Sequence, residues 1–159
     1  MNLFGLMETS GSALQAERVR AEVVAANMAN AETTRTESGG PYRRQHVVFA
    51  ANEGYADFMD TLAGEAEGSP LPRAVSLTGS PASLGVHIEQ VVEDTAPPLK
   101  RYDPGHPDAG PDGYVAYPDI NPLTEMVDLM GATRAYGLNS SAVQAEKTMI
   151  ASALEIAKF

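Results

Sequence analysis

The residues best suited to chemistry lie at 102–113 (YDPGHPDAGPDG), where three aspartates and one histidine occur together. These side chains could ligate a cation, but their spacing matches neither an EF-hand loop nor a zinc site. The same stretch holds three prolines and three glycines, which is typical of a rigid loop whose Asp side chains accept backbone hydrogen bonds. We therefore predict a structural loop without a metal, defined by Pro104, His106, Pro107, Asp108 and Gly113.

The three histidines could also provide acid–base chemistry, but they lie far apart in the sequence. His46 and His87 lie in strand-like segments beside apolar residues, where we expect each to face solvent, and no serine nucleophile motif accompanies them or His106. The phosphate-binding, dinucleotide-binding and H-E-x-x-H motifs are also missing from the sequence. We predict that the chain is not an enzyme and uses no cofactor.

The elements that would position any site are two long helices at the chain ends. All eleven prolines lie from Pro41 to Pro122, which leaves both ends free to be helical. Spacings of alternately four and three residues mark a coiled-coil seam in each end, with seven of nine positions apolar. The seams are Leu3, Met7, Ser10, Leu14, Glu17, Ala21, Val24, Met28, Ala31 and Leu129, Ala132, Tyr136, Asn139, Val143, Glu146, Ile150, Ala153, Ala157.

The limits of the two helices can be read locally. The first is predicted over 3–31, with a weak stretch at 9–12 where it could start late or bend. The second is predicted to begin at Asn121-Pro122, an Asn cap followed by a proline whose missing N–H costs nothing there. An ordinary compact bundle, with Glu17, Asn139 and Glu146 partly exposed, fits the same pattern, so periodicity alone leaves both packings open.

The middle of the chain has strand character. We predict strands at 42–49, 86–89 and 114–117, forming a small antiparallel unit. Residues 52–83 read as a flexible insert with one helical turn around an apolar patch of Tyr55, Phe58, Met59 and Leu62. The predicted fold is α+β: long N- and C-terminal helices packed as a coiled-coil layer, with a small β-rich middle domain. Its divisions are 1–34, 35–118 and 119–159.

Charge is distributed unevenly along the chain. The net charge is −10, yet residues 1–50 hold five acids and five arginines, whereas 51–113 hold eleven acids and three bases. Such a chain is a poor ligand for nucleic acid or an anionic membrane surface. It has no cysteine, which leaves the redox compartment open. We recognise no cleavable signal peptide and no membrane span, so leaving the cytoplasm would require a dedicated secretion machine.

Several motifs resemble the flagellar basal-body rod proteins, in particular the C-type subunit of the proximal rod. Gly11-Ser12-Ala13-Leu14 and Asn27-Met28-Ala29-Asn30-Ala31 resemble a motif shared by rod and hook proteins. The segments that resemble the C-type subunit are 39–49, 102–115, 117–122, 125–130 and 134–136. The sequence departs from the family pattern at 52–83 and at Gly137.

This resemblance implies that the two helices pair in the inner layer of a helical tube, with the β-rich part outside. It also implies export through the flagellar type III apparatus without cleavage, to the periplasmic rod of the basal body. The implied partners are other rod proteins and the adaptor that joins the rod to the membrane ring. The expected assembly interface combines seam and motif residues: Leu3, Met7, Leu14, Ala21, Val24, Asn27, Met28, Asn30, Leu129, Arg134, Tyr136, Val143, Ile150 and Ala153.

Three functions remain in competition at this stage. The first is a rod subunit that transmits torque from motor to hook; the second is a non-polymerising adaptor or another flagellar axial protein bound through its terminal helices. The third is a hydrolase or metal enzyme in the middle domain. We also expect isolated monomers to have largely disordered termini, because a lone helix of this composition buries little apolar surface.

Overall fold

The computed structural model describes residues 3–51 and 85–157, with side chains from Gly5 onward. Its elements are α1 (Leu3–Ala29), β1 (Gln45–Ala51), β2 (Val86–Glu93), β3 (Leu99–Tyr102), β4 (Tyr114–Tyr117) and α2 (Pro122–Ile156). Long helices at both ends with short strands between them confirm the α+β prediction. The predicted insert at 52–83, its apolar patch and the side chain of Leu3 lie outside the described residues.

Local hydrogen bonds between side chains and the backbone support both helices. The Asn121 side chain accepts a hydrogen bond from the backbone N–H of Leu123 at 3.0 Å, and Pro122 occupies the first turn, so the predicted start of α2 is confirmed. In α1 the Thr9 and Ser12 hydroxyls donate to the carbonyls of Gly5 and Thr9, each at 2.8 Å. The polar stretch thus stays within one continuous helix rather than delaying its start.

The two helices pack against each other in antiparallel directions. Ser10 lies opposite Glu146, with 3.4 Å between the hydroxyl and the carboxylate, while Asn27 near the other end of α1 contacts Glu125 near the start of α2. Ala132 is fully buried at this contact face, on the predicted seam of α2. α1 also contacts β1 and β2, so it is packed between α2 and the first sheet.

The strands form two separate antiparallel pairs, β1 with β2 and β3 with β4. The prediction of a single small unit was therefore wrong, and β3 was missed because it follows two prolines and shows no alternation of apolar and polar residues. The first strand begins at Gln45 rather than Tyr42, and the backbone N–H of Tyr42 donates to the Thr33 carbonyl instead of to a neighbouring strand. β2 continues to Glu93, beyond the predicted end, and β4 lies where it was predicted.

The core is small and spread along the molecule. Among the described residues, its buried apolar side chains are Ala16, Val24, Val115, Ile120 and Ala132. Within the same residues, no helix is long and apolar enough to cross a membrane. The proposed divisions near residues 34 and 118 stay predictions, because α1 packs on the first sheet as well as on α2.

Candidate assembly site

The predicted interface residues fall into two groups when placed on the helices. Most are half-buried or buried in the single chain: Met7, Leu14, Ala21, Val24, Asn27, Met28, Asn30, Leu129, Val143 and Ile150. Arg134, Tyr136 and Ala153 are exposed on α2. Many of the predicted interface residues thus have part of their surface covered within the chain, and their role in an assembly interface stays a prediction.

Asn27 is the centre of a buried polar network. Its side-chain amide donates to the carbonyl of Gln45 at 2.9 Å and to the Glu125 carboxylate at 3.2 Å. Its side-chain oxygen accepts from the Gln45 backbone N–H at 2.9 Å and from the Tyr42 hydroxyl at 3.2 Å. All the hydrogen-bonding capacity of one asparagine is therefore used to join α1, β1 and α2.

Glu125 is the charged member of this network and is only 1% exposed. Arg44 neutralises it: the guanidinium Nε lies 2.7 Å from one carboxylate oxygen, and Nη2 also contacts that oxygen. A second carboxylate, Asp128, lies 3.8 Å from both Arg44 and Arg20. Such a buried carboxylate is tolerated only when it is paired and hydrogen-bonded, as it is here.

Tyr42 is affected by the same surroundings. Burial raises the pKa of its phenol above the ordinary value, and the negative charges of Glu93 and Glu125 raise it further. The neutral phenol is the form that donates to Asn27. Tyr42 therefore stays protonated and serves as a structural donor at neutral pH.

Asn30 has a different role from Asn27 although both belong to one sequence motif. Its amide donates to the carbonyl of Ala26 at 2.9 Å, and its oxygen accepts from the Thr33 hydroxyl at 3.1 Å. These bonds end the helix and direct the chain that follows it. The motif thus combines a helix-terminating residue with one that binds the other elements.

The loop between β3 and β4 has the multi-turn structure that its prolines and glycines indicate. Hydrogen bonds close successive turns, with Gly113 N–H donating to the Gly110 carbonyl at 2.9 Å and Asp103 N–H to the Gly113 carbonyl at 3.0 Å. Gly113 has a φ of +75°, and an added Cβ would lie 2.8 Å from a ring carbon of Tyr102. Glycine is therefore required at this position.

His106 and Asp108 form a hydrogen bond within this loop, and Asp108 also contacts the segment that follows α1. The ring Nδ1 of His106 accepts from the Asp108 backbone N–H at 3.1 Å. The Asp108 carboxylate accepts from the Thr34 hydroxyl at 2.8 Å and lies 3.8 Å from the Arg35 guanidinium. Pro104 and Pro107 are exposed parts of the loop surface. Among the described residues, no group of three or more acidic or histidine side chains is arranged to hold a metal ion.

The helix pair also contains two acidic residues at seam positions. Glu146 is 6% exposed, and its Oε2 has no hydrogen-bond partner among the described residues; the same holds for Oε2 of Glu17. Oε2 of Glu17 lies 3.6 Å from the guanidinium of Arg20. Glu146 is thus buried rather than partly exposed, contrary to the compact-bundle interpretation.

The opposite side of α2 carries an exposed row of large apolar residues, which we call the apolar stripe. On one face of α2 it presents side chains 51–73% exposed: Leu123, Met126, Val127, Met130 and Leu138. An exposed row of this length is typical of a protein–protein contact surface. The heptad analysis missed it because it followed only the inward-facing seam, although spacings of three and four residues also mark this outer face.

Arg44 and Glu125 are the other site residues that sequence reasoning missed. Both occur in segments with the family resemblance, but nothing local indicates that they pair across 81 residues of sequence. A carboxylate in the first turn of a helix is ordinarily an exposed residue that interacts with the helix dipole. Only the packing of α1 and β1 over this turn makes it a buried charge.

Two models of known protein families match the segments that contain the two helices. Residues 7–35 match the family model described as Flagella basal body rod protein, and residues 112–156 match the one described as Flagellar basal body rod FlgEFG protein C-terminal. The flagellar basal-body rod protein FlgC of Bacillus subtilis is 40% identical over 162 residues, covering 99% of this chain and all of the relative. The chain belongs to the FlgC family of flagellar basal-body rod proteins.

Other FlgC proteins support the same membership. FlgC of Borreliella burgdorferi is 35% identical over 168 residues, and FlgC of Salmonella typhimurium is 33% identical over 156 residues. Both similarities cover 98% of this chain and 98% of the relative. The family identified from the motifs is thus confirmed, and the FlgC similarity extends over the segments between the two family models.

Proposed function

We propose that this chain, a structural subunit of the proximal rod of the flagellar basal body, assembles through its α1–α2 pair and helps to transmit torque from motor to hook. The observation that carries the proposal is the apolar stripe on α2, which no described part of the chain covers. A row of large apolar side chains gains stability when a neighbouring subunit removes it from water. The relatives are named as rod proteins, so we assign a structural rather than a catalytic role.

The charge distribution supports an orientation within the rod. Residues 1–50 carry equal numbers of acidic and basic side chains, whereas 51–113 carry an excess of eight acids. Near-neutral helices can approach one another closely, while like-charged acidic segments are best kept apart in solvent. We therefore place the paired helices in the inner, coiled-coil layer of the rod and the β-rich part outside.

The proposed partners follow from this placement. Other rod proteins would contact the helix pair, and the adaptor that joins the rod to the membrane ring would contact the assembled subunits. Delivery to the periplasmic rod would use the flagellar type III apparatus, without cleavage. The absence of cysteine supports this route, because no disulfide has to form or break when the chain is passed on unfolded.

Deletion of the gene, followed by electron microscopy of isolated basal bodies, tests the proposal. We expect the deletion strain to lack a complete rod and to be non-motile, and the wild-type chain supplied in trans to restore both. Complementation with Val24→Asp, which places a charge in the buried helix contact, is expected to fail. Intact rods and normal swimming in the deletion strain would overturn the proposed function.

A further inference from the structure

The β3–β4 hairpin, residues 99–117, is joined to the rest of the molecule by few contacts. Among the described residues, no Cα atom of β3 or β4 lies within 8 Å of a Cα atom in α1, α2, β1 or β2. Both links between the hairpin and its neighbours contain prolines, at 97–98 and at 118, so backbone donors that could extend a sheet are missing there. The hairpin is therefore positioned by side chains and loops rather than by strand or helix packing.

Apolar packing holds the hairpin along one side only. β3 is exposed at all four of its residues, whereas the buried apolar side chains, Val115, Pro118 and Ile120, lie on β4 or in the link that follows it. Pro118 lies beside Pro41 and Tyr42 around a cavity of about 100 Å³, so this contact is not fully packed. A single line of apolar contact resists separation but leaves rotation about that line open. A second contact, away from β4, is needed to fix the angle of the hairpin.

Asp108 provides this second contact from the loop of the hairpin. Its carboxylate accepts from the Thr34 hydroxyl at 2.8 Å and lies 3.8 Å from the Arg35 guanidinium. Among the hydrogen bonds and ion pairs of the described residues, these two are the ones that join the hairpin to another part of the chain. The side chain of Arg35 is 78% exposed, so the hydrogen bond from Thr34 contributes more than the ion pair.

Both partners of this bond are oriented by their own surroundings. The backbone N–H of Asp108 donates to Nδ1 of His106 at 3.1 Å, which orients the residue within the loop. Thr34 follows Thr33, whose hydroxyl and backbone N–H donate to the side chain and the carbonyl of Asn30, at 3.1 and 3.0 Å. The bond from Thr34 to Asp108 therefore connects the hairpin loop to the end of α1.

We propose that Asp108 acts as a latch: its bond with Thr34 fixes the angle of the β3–β4 hairpin relative to α1, and the hairpin turns about its β4 side when the bond is absent. The rings of Tyr102 and Tyr114, whose residues are 64% and 50% exposed, turn with the hairpin. The latch thus sets the direction in which this aromatic pair is presented. It is a contact within one chain and does not depend on the proposed function.

A distance measurement between two nitroxide labels tests the latch in the full-length chain. The sequence has no cysteine, so Ala25→Cys on α1 and Lys100→Cys on β3, both at exposed positions, provide two defined labelling sites. Double electron–electron resonance is expected to give one narrow distance peak when Asp108 is intact. In Asp108→Ala we expect the population outside that peak to rise about tenfold. Tenfold corresponds to about 1.4 kcal/mol, close to the value of a hydrogen bond to a charged group.

Three further variants separate the hydrogen bond from other effects of the substitution. Thr34→Val removes the donor at nearly constant volume and should broaden the distance distribution as Asp108→Ala does. Asp108→Asn keeps an acceptor oxygen for Thr34 and should retain most of the narrow peak. Asp112→Ala, at an exposed aspartate of the same loop, is the matched control and should leave the distribution unchanged.

Amide hydrogen exchange distinguishes rotation of the hairpin from unfolding. The Asp103 amide is bonded inside the hairpin and the Gln45 amide inside the polar network, so both should keep their exchange rates within about twofold in Asp108→Ala. An unchanged distance distribution in both Asp108→Ala and Thr34→Val would overturn the latch. Faster exchange at Asp103 or Gln45 would also overturn it, because loss of the carboxylate would then unfold the region instead of turning the hairpin.

Discussion

Glu125 connects three elements of the fold, although a carboxylate in the first turn of a helix is ordinarily exposed. Its carboxylate accepts from Asn27 on α1 and from Arg44 before β1, so one residue of α2 holds the other two elements together. Removing it leaves a guanidinium and an amide without their acceptor in a water-poor site. The energetic consequence should therefore be local and large.

Glu125→Ala is expected to lower the free energy of local opening around the network by about 2 kcal/mol, less than for a fully buried pair because Arg44 is 25% exposed. The measurement is hydrogen exchange at the Gln45 amide, which donates to Asn27. It should exchange about 30 times faster in the variant. Glu22→Ala removes an exposed ion pair with Arg18 and is expected to leave this rate unchanged within about twofold. An unchanged Gln45 rate in Glu125→Ala would contradict a structural role for the network.

Gly113 gives a second prediction at this scale. Gly113→Ala should destabilise the loop by about 2 kcal/mol, because alanine is strained at a φ of +75° and its Cβ would lie 2.8 Å from Tyr102. Gly105→Ala is the matched control in the same loop, since its Cβ would have 3.8 Å to its nearest neighbour. Urea denaturation followed by circular dichroism compares the two. Equal midpoints for both variants would show that the loop does not require glycine at 113.

Residue types and spacing predict the loop and the Asn27 motif, but they do not predict the residues that these contact. Turn residues and helix-ending asparagines act on their immediate neighbours, so their type and spacing carry the information. The contact from Asn27 to Glu125 spans 98 residues, and no local preference specifies it. Tertiary packing alone decides which polar residues become buried together.

At the scale of the elements, the heptad seams predicted the helix pair well, and their exceptions are informative. Seam positions 129, 132 and 143 face α1, whereas Tyr136 is 44% exposed and Ala153 lies in the exposed final turns. Ala153 lies beyond the Ser10–Glu146 contact, at the end of the overlap with α1, whereas Tyr136 lies between covered positions, so its exposure is not an end effect. β3 was not predicted because an exposed strand of four residues has no burial pattern from which it could be recognised.

The buried acid in the α2 seam provides a prediction about the helix pair. Glu146→Leu should stabilise the pair by about 1 kcal/mol, because an apolar side chain replaces a buried carboxylate that has one oxygen unsatisfied. The measurement is the thermal midpoint of helix unfolding by circular dichroism. Glu155→Leu, at an exposed position near the end of the same helix, is the control and should change the midpoint little. A lower midpoint in Glu146→Leu would mean that the carboxylate has a partner that stabilises it.

The whole molecule is elongated along two helices of 27 and 35 residues, and its described buried apolar residues are few and mostly small. Such a core gives little stability to a single copy, in keeping with the assembly expected from the helix patterns and the family resemblance. The stripe lies on the face of α2 opposite the contact with α1, so its exposure depends on the tertiary pairing of the two helices, which the heptad spacing alone leaves open.

We expect the dilute monomer to have largely disordered termini, with order retained near the polar network. Heteronuclear NMR should give random-coil shifts and fast amide exchange for residues 3–10 and 150–157, and slower exchange around Asn27 and Glu125. The reason is that the helix ends farthest from the network are stabilised only by the seam contacts between α1 and α2, which bury little apolar surface. Well-dispersed helical signals throughout residues 3–31 of the monomer would contradict this prediction.

The 98 residues of sequence between Asn27 and Glu125 also determine when the polar network can form. A chain that emerges from its N-terminus presents Asn27, Tyr42 and Arg44 long before the carboxylate that unites them. The junction of the three elements therefore cannot close until residue 125 has arrived. Under the proposed type III delivery, in which the chain is passed on unfolded, this delay would leave the early part flexible until residue 125 has arrived.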